Sequence, residues 1–207
     1  MVLRKALHVT LDGCSLTCRQ LSRLGTPGSS IAVSSAAIAK VQRARDVVDG
    51  LVTRGFAEGH VAYGINTGFG LFADVVIDND QLVTLQNNLI RSHSAGVGTP
   101  LTPAETRRLL ALRLNVLAKG HSGIRVETVN KMVAAFNADC LSVVPSQGTV
   151  GASGDLAPLS HLALGLSEFY LIFHFRANQL MLTSAQWVKA TCGILTTLAR
   201  WLLPQTC

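Results

Sequence analysis

The sequence has few charges and few aromatic side chains, and its basic residues do not cluster. Charged residues make up 14% and aromatic residues 5% of the 207 positions, and the formal net charge is +6. Lysines and arginines occur singly or in pairs such as Arg107-Arg108. A nucleic-acid-binding surface requires a dense basic patch, so we expect no nucleic-acid partner.

The five cysteines lack the spacing of a metal site. No CxxC or Cys/His ligand pattern includes any of Cys14, Cys18, Cys140, Cys192 and Cys207, so we expect no zinc and no other metal. The N-terminus carries Arg4 and Lys5, but Asp12 interrupts any apolar signal region early. An odd cysteine count without a signal peptide indicates reduced thiols, and therefore a cytoplasmic protein.

Long apolar runs are absent as well. In the last part of the chain, Glu168, His174 and Lys189 interrupt the apolar residues before they reach the roughly 20 positions that a membrane span needs. A membrane anchor is therefore disfavoured.

Apolar residues recur at helical spacing along most of the chain, which predicts a mainly α fold. The first predicted elements are a strand over residues 6–11, a loop at 25–30 and a helix from Ser34 or Ser35 to about Gly50. A second helix is predicted to be capped by Asp78 and to carry Leu82, Leu85 and Leu89 on one face. A largely buried helix is predicted from the capping box Thr102–Glu105 to Gly120, followed by a helix over residues 126–136.

A loop of small residues leads directly into an apolar helix at residues 148–166. Asp155 is suited to cap this helix, and Pro158 falls in the first turn, where proline is tolerated. One face of the helix is predicted to carry Leu156, Leu159, Leu162, Ala163 and Leu166. The loop is therefore held at the positive end of a helix dipole, where negative charge is favoured.

Two common interpretations of such a loop do not fit. It lacks the Lys-Ser/Thr ending of a phosphate-binding P-loop, and Asp155 stands where a hydrolase nucleophile elbow has glycine. The tripeptide Ala152-Ser153-Gly154 has another chemistry available, because glycine lets its amide nitrogen approach the carbonyl of Ala152. Ring closure and loss of two waters would give a methylidene-imidazolone (MIO), an electrophile made from the backbone.

A second glycine-rich loop spans residues 60–70, His-Val-Ala-Tyr-Gly-Ile-Asn-Thr-Gly-Phe-Gly. Its glycines keep the loop tight, and it presents Tyr63 outside a regular core. From this segment alone, a hairpin with Tyr63 and Phe69 packed inward is the alternative. Further along, His93 lies where a helix gives way to a Ser/Gly loop.

These three motifs together resemble the aromatic amino acid ammonia-lyases. The run Gly148–His161 is most similar to the histidine ammonia-lyases, and the segments around Tyr63 and His93 match two further signatures. The resemblance implies non-oxidative elimination of ammonia from L-histidine to give trans-urocanate. It also implies no dissociable cofactor, since MIO would form from Ala152, Ser153 and Gly154.

The resemblance further implies roles for two side chains. Tyr63 would take part in proton transfer, and because a phenol is a weak acid, this role needs a shifted pKa or a partner. His93 would contact the substrate imidazole, since one imidazole can donate to or accept from another. A phenylalanine or tyrosine ammonia-lyase is the alternative substrate class.

The implied fold is the N-terminal part of the fumarase/aspartase-like helical fold, with a small strand and loop region near the N-terminus. The family assembles as homotetramers whose active sites combine three chains. The resemblance is continuous to about Leu166, so we expect an ammonia-lyase region at 1–166 and a divergent apolar tail at 167–207. Because relatives are more than twice as long, an inactive truncated fragment that associates with the full-length lyase is an alternative.

Overall fold

The computed structural model describes residues 6–58, 61–149, 151–152 and 154–176. The helices are α1 (Cys18–Leu24), α2 (Ser35–Glu58), α3 (Leu82–His93), α4 (Pro103–Leu117), α5 (Val126–Asn137) and α6 (Leu156–Arg176), and the strands are β1 (His8–Leu11), β2 (Ser30–Val33), β3 (Val97–Pro100) and β4 (Pro145–Gln147). This mainly helical content confirms the predicted fold class.

The chain divides into two compact units, Met1–Glu168 and Phe169–Cys207. In the second unit, residues 169–176 are helical, and the predicted tail beyond them lies outside the described residues. The predicted boundary at Leu166 stays a prediction. Within the described part of the chain, no helix combines the length and the apolarity needed to cross a bilayer.

Strands β1 and β2 form a parallel pair in register from His8 opposite Ser30 to Leu11 opposite Val33. Leu11 is buried and His8 is exposed, as in a strand with one face on the core. The strand predicted at 6–11 is confirmed over His8–Leu11. The sequence pattern does not predict α1 or β2, which follow it along the chain.

Helix α2 begins where predicted but ends later. The Ser34 hydroxyl oxygen accepts a hydrogen bond from the Ala37 N–H at 3.2 Å, which caps the helix. The predicted end near Gly50 is wrong, because the helix continues to Glu58. A single glycine costs a helix only about 1 kcal/mol relative to alanine, and an Arg45–Asp49 ion pair one turn apart supports the preceding turns.

The start of α3 also differs from the prediction. Asp78 does not cap the α-helix, because a 3-10 turn at Asn79–Gln81 intervenes and Gln81 occupies the N-cap position. Asp78 instead contributes its backbone carbonyl, which accepts from the Gln81 N–H at 2.9 Å. The predicted apolar face of α3 is half-buried at Leu82, Leu85 and Leu89.

Helices α4 and α5 supply the centre of the core. The predicted capping box at Thr102 and Glu105 opens α4 and is confirmed. The helix was predicted to be largely buried, and it packs against α1 and α5 with most of its residues buried or half-buried. The exceptions among its apolar residues are Leu112 and Val116, which are 43% and 47% exposed. The buried core consists chiefly of Leu11, Leu24, Ile31, Val41, Leu110, Leu114, Leu117, Val129, Phe136, Val144 and Leu162.

Helix α6 starts directly after Asp155, whose carbonyl accepts from the Leu159 N–H at 3.3 Å. Leu162 is buried as predicted, but Leu156 is 46% exposed. The predicted apolar face is therefore wrong at its first position, since Ala157 rather than Leu156 is buried in that turn.

Candidate active site

Ala152 and Gly154 lie on an exposed loop directly before α6. Gly154 has a φ of +113°, which side chains rarely permit. A Cβ at this position would meet nothing within 4 Å, so the backbone conformation and not crowding requires glycine. Ser153, the central residue of the predicted MIO tripeptide, lies outside the described residues. The two ends of the tripeptide are thus exposed.

Thr149 connects the two ends of this loop. Its hydroxyl oxygen lies 3.3 Å from the Gly154 carbonyl oxygen and 3.2 Å from Asp155 Oδ1, either of which can accept its proton. The same oxygen accepts from the Gly151 N–H at 3.4 Å. Sequence reasoning missed Thr149, although a threonine beside a glycine-rich loop often bonds nearby backbone groups.

The loop that follows His93 packs against the loop that precedes α6. Strands β3 and β4 pair antiparallel, with Val97 opposite Gln147. A Cβ at Gly148 would lie 2.9 Å from the Cα of Gly96, closer than real Cβ atoms approach. Glycine at 148 is therefore required by this contact, and the two predicted site loops lie side by side.

His161 on α6 joins the same two loops. Its Nε2 accepts a hydrogen bond from the Gly96 N–H at 3.0 Å. Because an acceptor nitrogen carries no proton, the imidazole is neutral in this arrangement, with its proton on Nδ1. Burial lowers the pKa of His161, which favours the neutral ring. Sequence reasoning assigned no role to this residue.

His93 is half-buried at the end of α3. Its Nδ1 lies 2.9 Å from the Leu89 carbonyl oxygen and 3.1 Å from the Ser92 hydroxyl. A carbonyl only accepts, so Nδ1 carries the proton in the bond to Leu89. In a neutral ring this leaves Nε2 as an acceptor, which can receive an N–H from another imidazole.

Tyr63 lies on a loop that two buried polar side chains hold in place. Asn66 Oδ1 accepts from a backbone N–H at 2.7 Å, and the Thr67 hydroxyl accepts from another at 3.1 Å. Tyr63 is 65% exposed, and its ring contacts Phe69 edge-on with centroids 5.7 Å apart. The alternative in which Tyr63 packs inward is wrong. Sequence reasoning also missed Asn66 and Thr67, residue types that commonly bond the backbone of turns.

The structure therefore brings the loop that follows His93 and the tripeptide loop together. The described ring contact of Tyr63 is with Phe69. The roles of Tyr63, His93 and the tripeptide stay predictions.

A cavity of about 380 Å³ includes none of these residues in its lining, which consists of Gln42, Arg45, Asp49, Arg125, Val126 and Glu127. Among the described residues, no group of three or more His, Cys, Asp or Glu side chains is placed to hold a metal ion.

Solved structures share this fold. The histidine ammonia-lyase from Trypanosoma cruzi superposes with a TM-score of 0.68 at 53% identity, over 76% of this chain and 29% of that one. The tyrosine aminomutase from Streptomyces globisporus gives 0.67 at 37% identity, over 76% and 28%. The described fold is therefore that of the ammonia-lyases and related aminomutases.

Sequence comparison gives the family directly. The family model for aromatic amino acid lyases matches residues 16–186. Histidine ammonia-lyase from Mus musculus is 57% identical over 159 residues, which are 77% of this chain and 24% of that protein. The Homo sapiens protein is 54% identical over the same length, with the same coverage. The chain belongs to the aromatic amino acid lyase family, and it spans about a quarter of the length of these relatives.

Proposed function

We propose that this protein is a histidine ammonia-lyase, which eliminates ammonia from L-histidine and releases trans-urocanate. The observation that carries the proposal is the 54–57% identity with the histidine ammonia-lyases of mouse and human. The identity with a tyrosine aminomutase is 37%. The higher identity with the histidine ammonia-lyases favours histidine over tyrosine or phenylalanine as the substrate.

The proposed electrophile is MIO, formed from Ala152, Ser153 and Gly154. The described flanks fit such a ring, because Gly154 holds a φ of +113° and has open space where a Cβ would lie. When present, the ring would accept electron density from the substrate amine and make it a better leaving group. The loop lies at the N-terminal end of α6, which favours negative charge nearby.

Two side chains are proposed to act on the substrate. His93 would bind the imidazole, with its Nε2 accepting the substrate N–H because its Nδ1 is engaged with Leu89. Tyr63 would remove the β-proton, and its exposed ring leaves the hydroxyl accessible for that step.

The same proposal includes a homotetramer located in the cytosol. In the first unit, Leu71, Phe72 and Val83 are 100%, 65% and 71% exposed, and apolar side chains exposed to this degree favour burial in an interface. Among the described residues, the free thiols Cys14, Cys18 and Cys140 suit a reducing compartment.

Urocanate formation tests the proposal. Purified protein incubated with L-histidine is expected to produce urocanate, detected by its ultraviolet absorbance, and the Ser153→Ala variant is not. L-Phenylalanine and L-tyrosine serve as matched alternative substrates. Faster elimination from either of them would overturn the substrate assignment, and equal turnover by Ser153→Ala would overturn the role of the tripeptide.

A further inference from the structure

We infer that His161 is a positioning residue that fixes the loop at residues 94–98, and through it the substrate-binding side of the site, by accepting the Gly96 N–H. The identity of the substrate in this inference rests on the proposed function. The hydrogen bond itself depends only on the geometry.

The loop at 94–98 is held at both ends by other contacts. At its start, the Ser94 N–H and hydroxyl both donate to the Ile90 carbonyl, at 3.1 and 2.8 Å. At its end, Val97 enters the ladder between β3 and β4. Gly96 lies between these anchors, and its N–H reaches His161 Nε2 at 3.0 Å. His161 therefore supplies the hydrogen bond that fixes the middle of the loop.

The fit around Gly96 is close. A Cβ at this position would lie 3.0 Å from His161 Nε2 and 3.2 Å from the Gln147 carbonyl oxygen. The contact therefore favours glycine at position 96. A larger residue at 96 would displace the imidazole and weaken the hydrogen bond.

The bond connects two parts of the proposed site. Gly96 follows His93 by three residues, and His161 follows Gly154 by seven residues and lies in the second turn of α6. A neutral imidazole or a glutamine carbonyl can accept the Gly96 N–H, whereas an apolar side chain would leave it unpaired. Loss of the acceptor would free the loop that directly follows His93, the proposed substrate contact at the end of α3, without removing an apolar core residue.

Amide hydrogen exchange of a peptide that covers residues 94–98 tests the inference directly. His161→Leu is expected to raise the exchange rate of this segment about tenfold, because a lost hydrogen bond of about 1.4 kcal/mol lowers the opening free energy by that amount. His161→Gln is expected to keep most of the protection. His121→Leu is the control, since His121 is exposed. Peptides from α5 report whether the fold as a whole is retained.

If His161→Leu does not fold, Gly96→Ala provides the second variant, with the same increase expected in the loop. The inference would be overturned if the exchange rate of residues 94–98 were unchanged in His161→Leu, or if this segment exchanged as fast in His161→Gln as in His161→Leu.

Binding of L-histidine separates this inference from the proposed function. In a Ser153→Ala background, which blocks turnover, His161→Leu is expected to weaken L-histidine binding several-fold and His161→Gln to preserve it. If exchange changes as expected but L-histidine binds none of the variants, the positioning role stands and the substrate assignment fails. If L-histidine binds the leucine variant as tightly as the parent, the loop has no role in binding and the inference fails.

Discussion

The side-chain amide of Asn137 pairs with the backbone of Ile31. Asn137 Oδ1 accepts from the Ile31 N–H at 2.8 Å, and Asn137 Nδ2 donates to the Ile31 carbonyl at 2.9 Å. Ile31 belongs to β2, whose other edge pairs with β1. The amide therefore takes the place of a neighbouring strand and attaches the end of α5 to β2.

Removal of this amide is expected to destabilise the fold. Asn137→Leu leaves the N–H and the carbonyl of buried Ile31 unpaired, and each such group costs about 1–3 kcal/mol. We expect the free energy of unfolding, measured by urea denaturation, to fall by about 2 kcal/mol or more. Asn130→Leu on the exposed side of the same helix is the control. Equal losses in the two variants would contradict the assigned role.

Arg107 is expected to be the most sensitive polar residue of α4. Its side chain is 1% exposed, and it donates to the carbonyls of Leu24 at 2.9 Å and Ser29 at 2.5 Å and pairs with Asp139. Arg107→Met leaves these acceptors unpaired, with an expected loss of about 2–4 kcal/mol in urea denaturation. Arg107→Lys is expected to recover part of the loss, because it keeps the charge but not the planar fork.

The neighbouring Arg108 is the matched control, since its hydrogen bonds to the Ser22 carbonyl are long, at 3.4 Å, and exposed. Arg108→Met is expected to change the free energy of unfolding by less than about 0.5 kcal/mol. A larger loss for Arg108→Met than for Arg107→Met would show that burial of the guanidinium does not determine stability here.

The capping box of α4 predicts a pH dependence. Hydrogen bonds from the Thr102 hydroxyl and N–H hold the pKa of Glu105 below its ordinary value of 4.5. A carboxyl whose pKa is lowered by folding contributes stability that is present above its unfolded-state pKa and is lost as the pH falls through its folded-state pKa. Glu105→Gln keeps the cap geometry without the charge. The midpoint temperatures of thermal unfolding of the parent and of Glu105→Gln should differ at neutral pH and become equal in acid. A difference that does not change with pH would contradict this.

His93 is expected to control affinity for the substrate. His93→Leu removes the proposed acceptor for the substrate N–H, and loss of one such hydrogen bond should weaken L-histidine binding by about three- to tenfold. Titration in the Ser153→Ala background measures this effect without turnover. His121→Leu should bind as the parent does, because His121 lies on the surface. Unchanged affinity in His93→Leu would remove this residue from the site.

Sequence reasoning predicted the elements that depend on local chemistry. The Ser34 cap and the Thr102–Glu105 capping box each join residues three positions apart, so both partners can be recognised in the sequence. The same holds for α5, which was predicted over residues 126–136 and is found at Val126–Asn137.

The features that sequence reasoning missed depend on distant partners. Strand β2 pairs with β1, which lies 22 positions earlier, and takes its other partner from Asn137. The acceptor role of His161 is defined by Gly96, 65 positions away. Local patterns cannot show such contacts, because they depend on how loops and helices pack after the chain folds.

The intact mass of the purified protein tests the central claim most directly. The parent protein is expected to have a mass lower than that of the encoded sequence by two water molecules, and the Ser153→Ala variant is expected to have its full sequence mass. A parent protein at the full sequence mass would contradict MIO formation at residues 152–154 and the mechanism that depends on it.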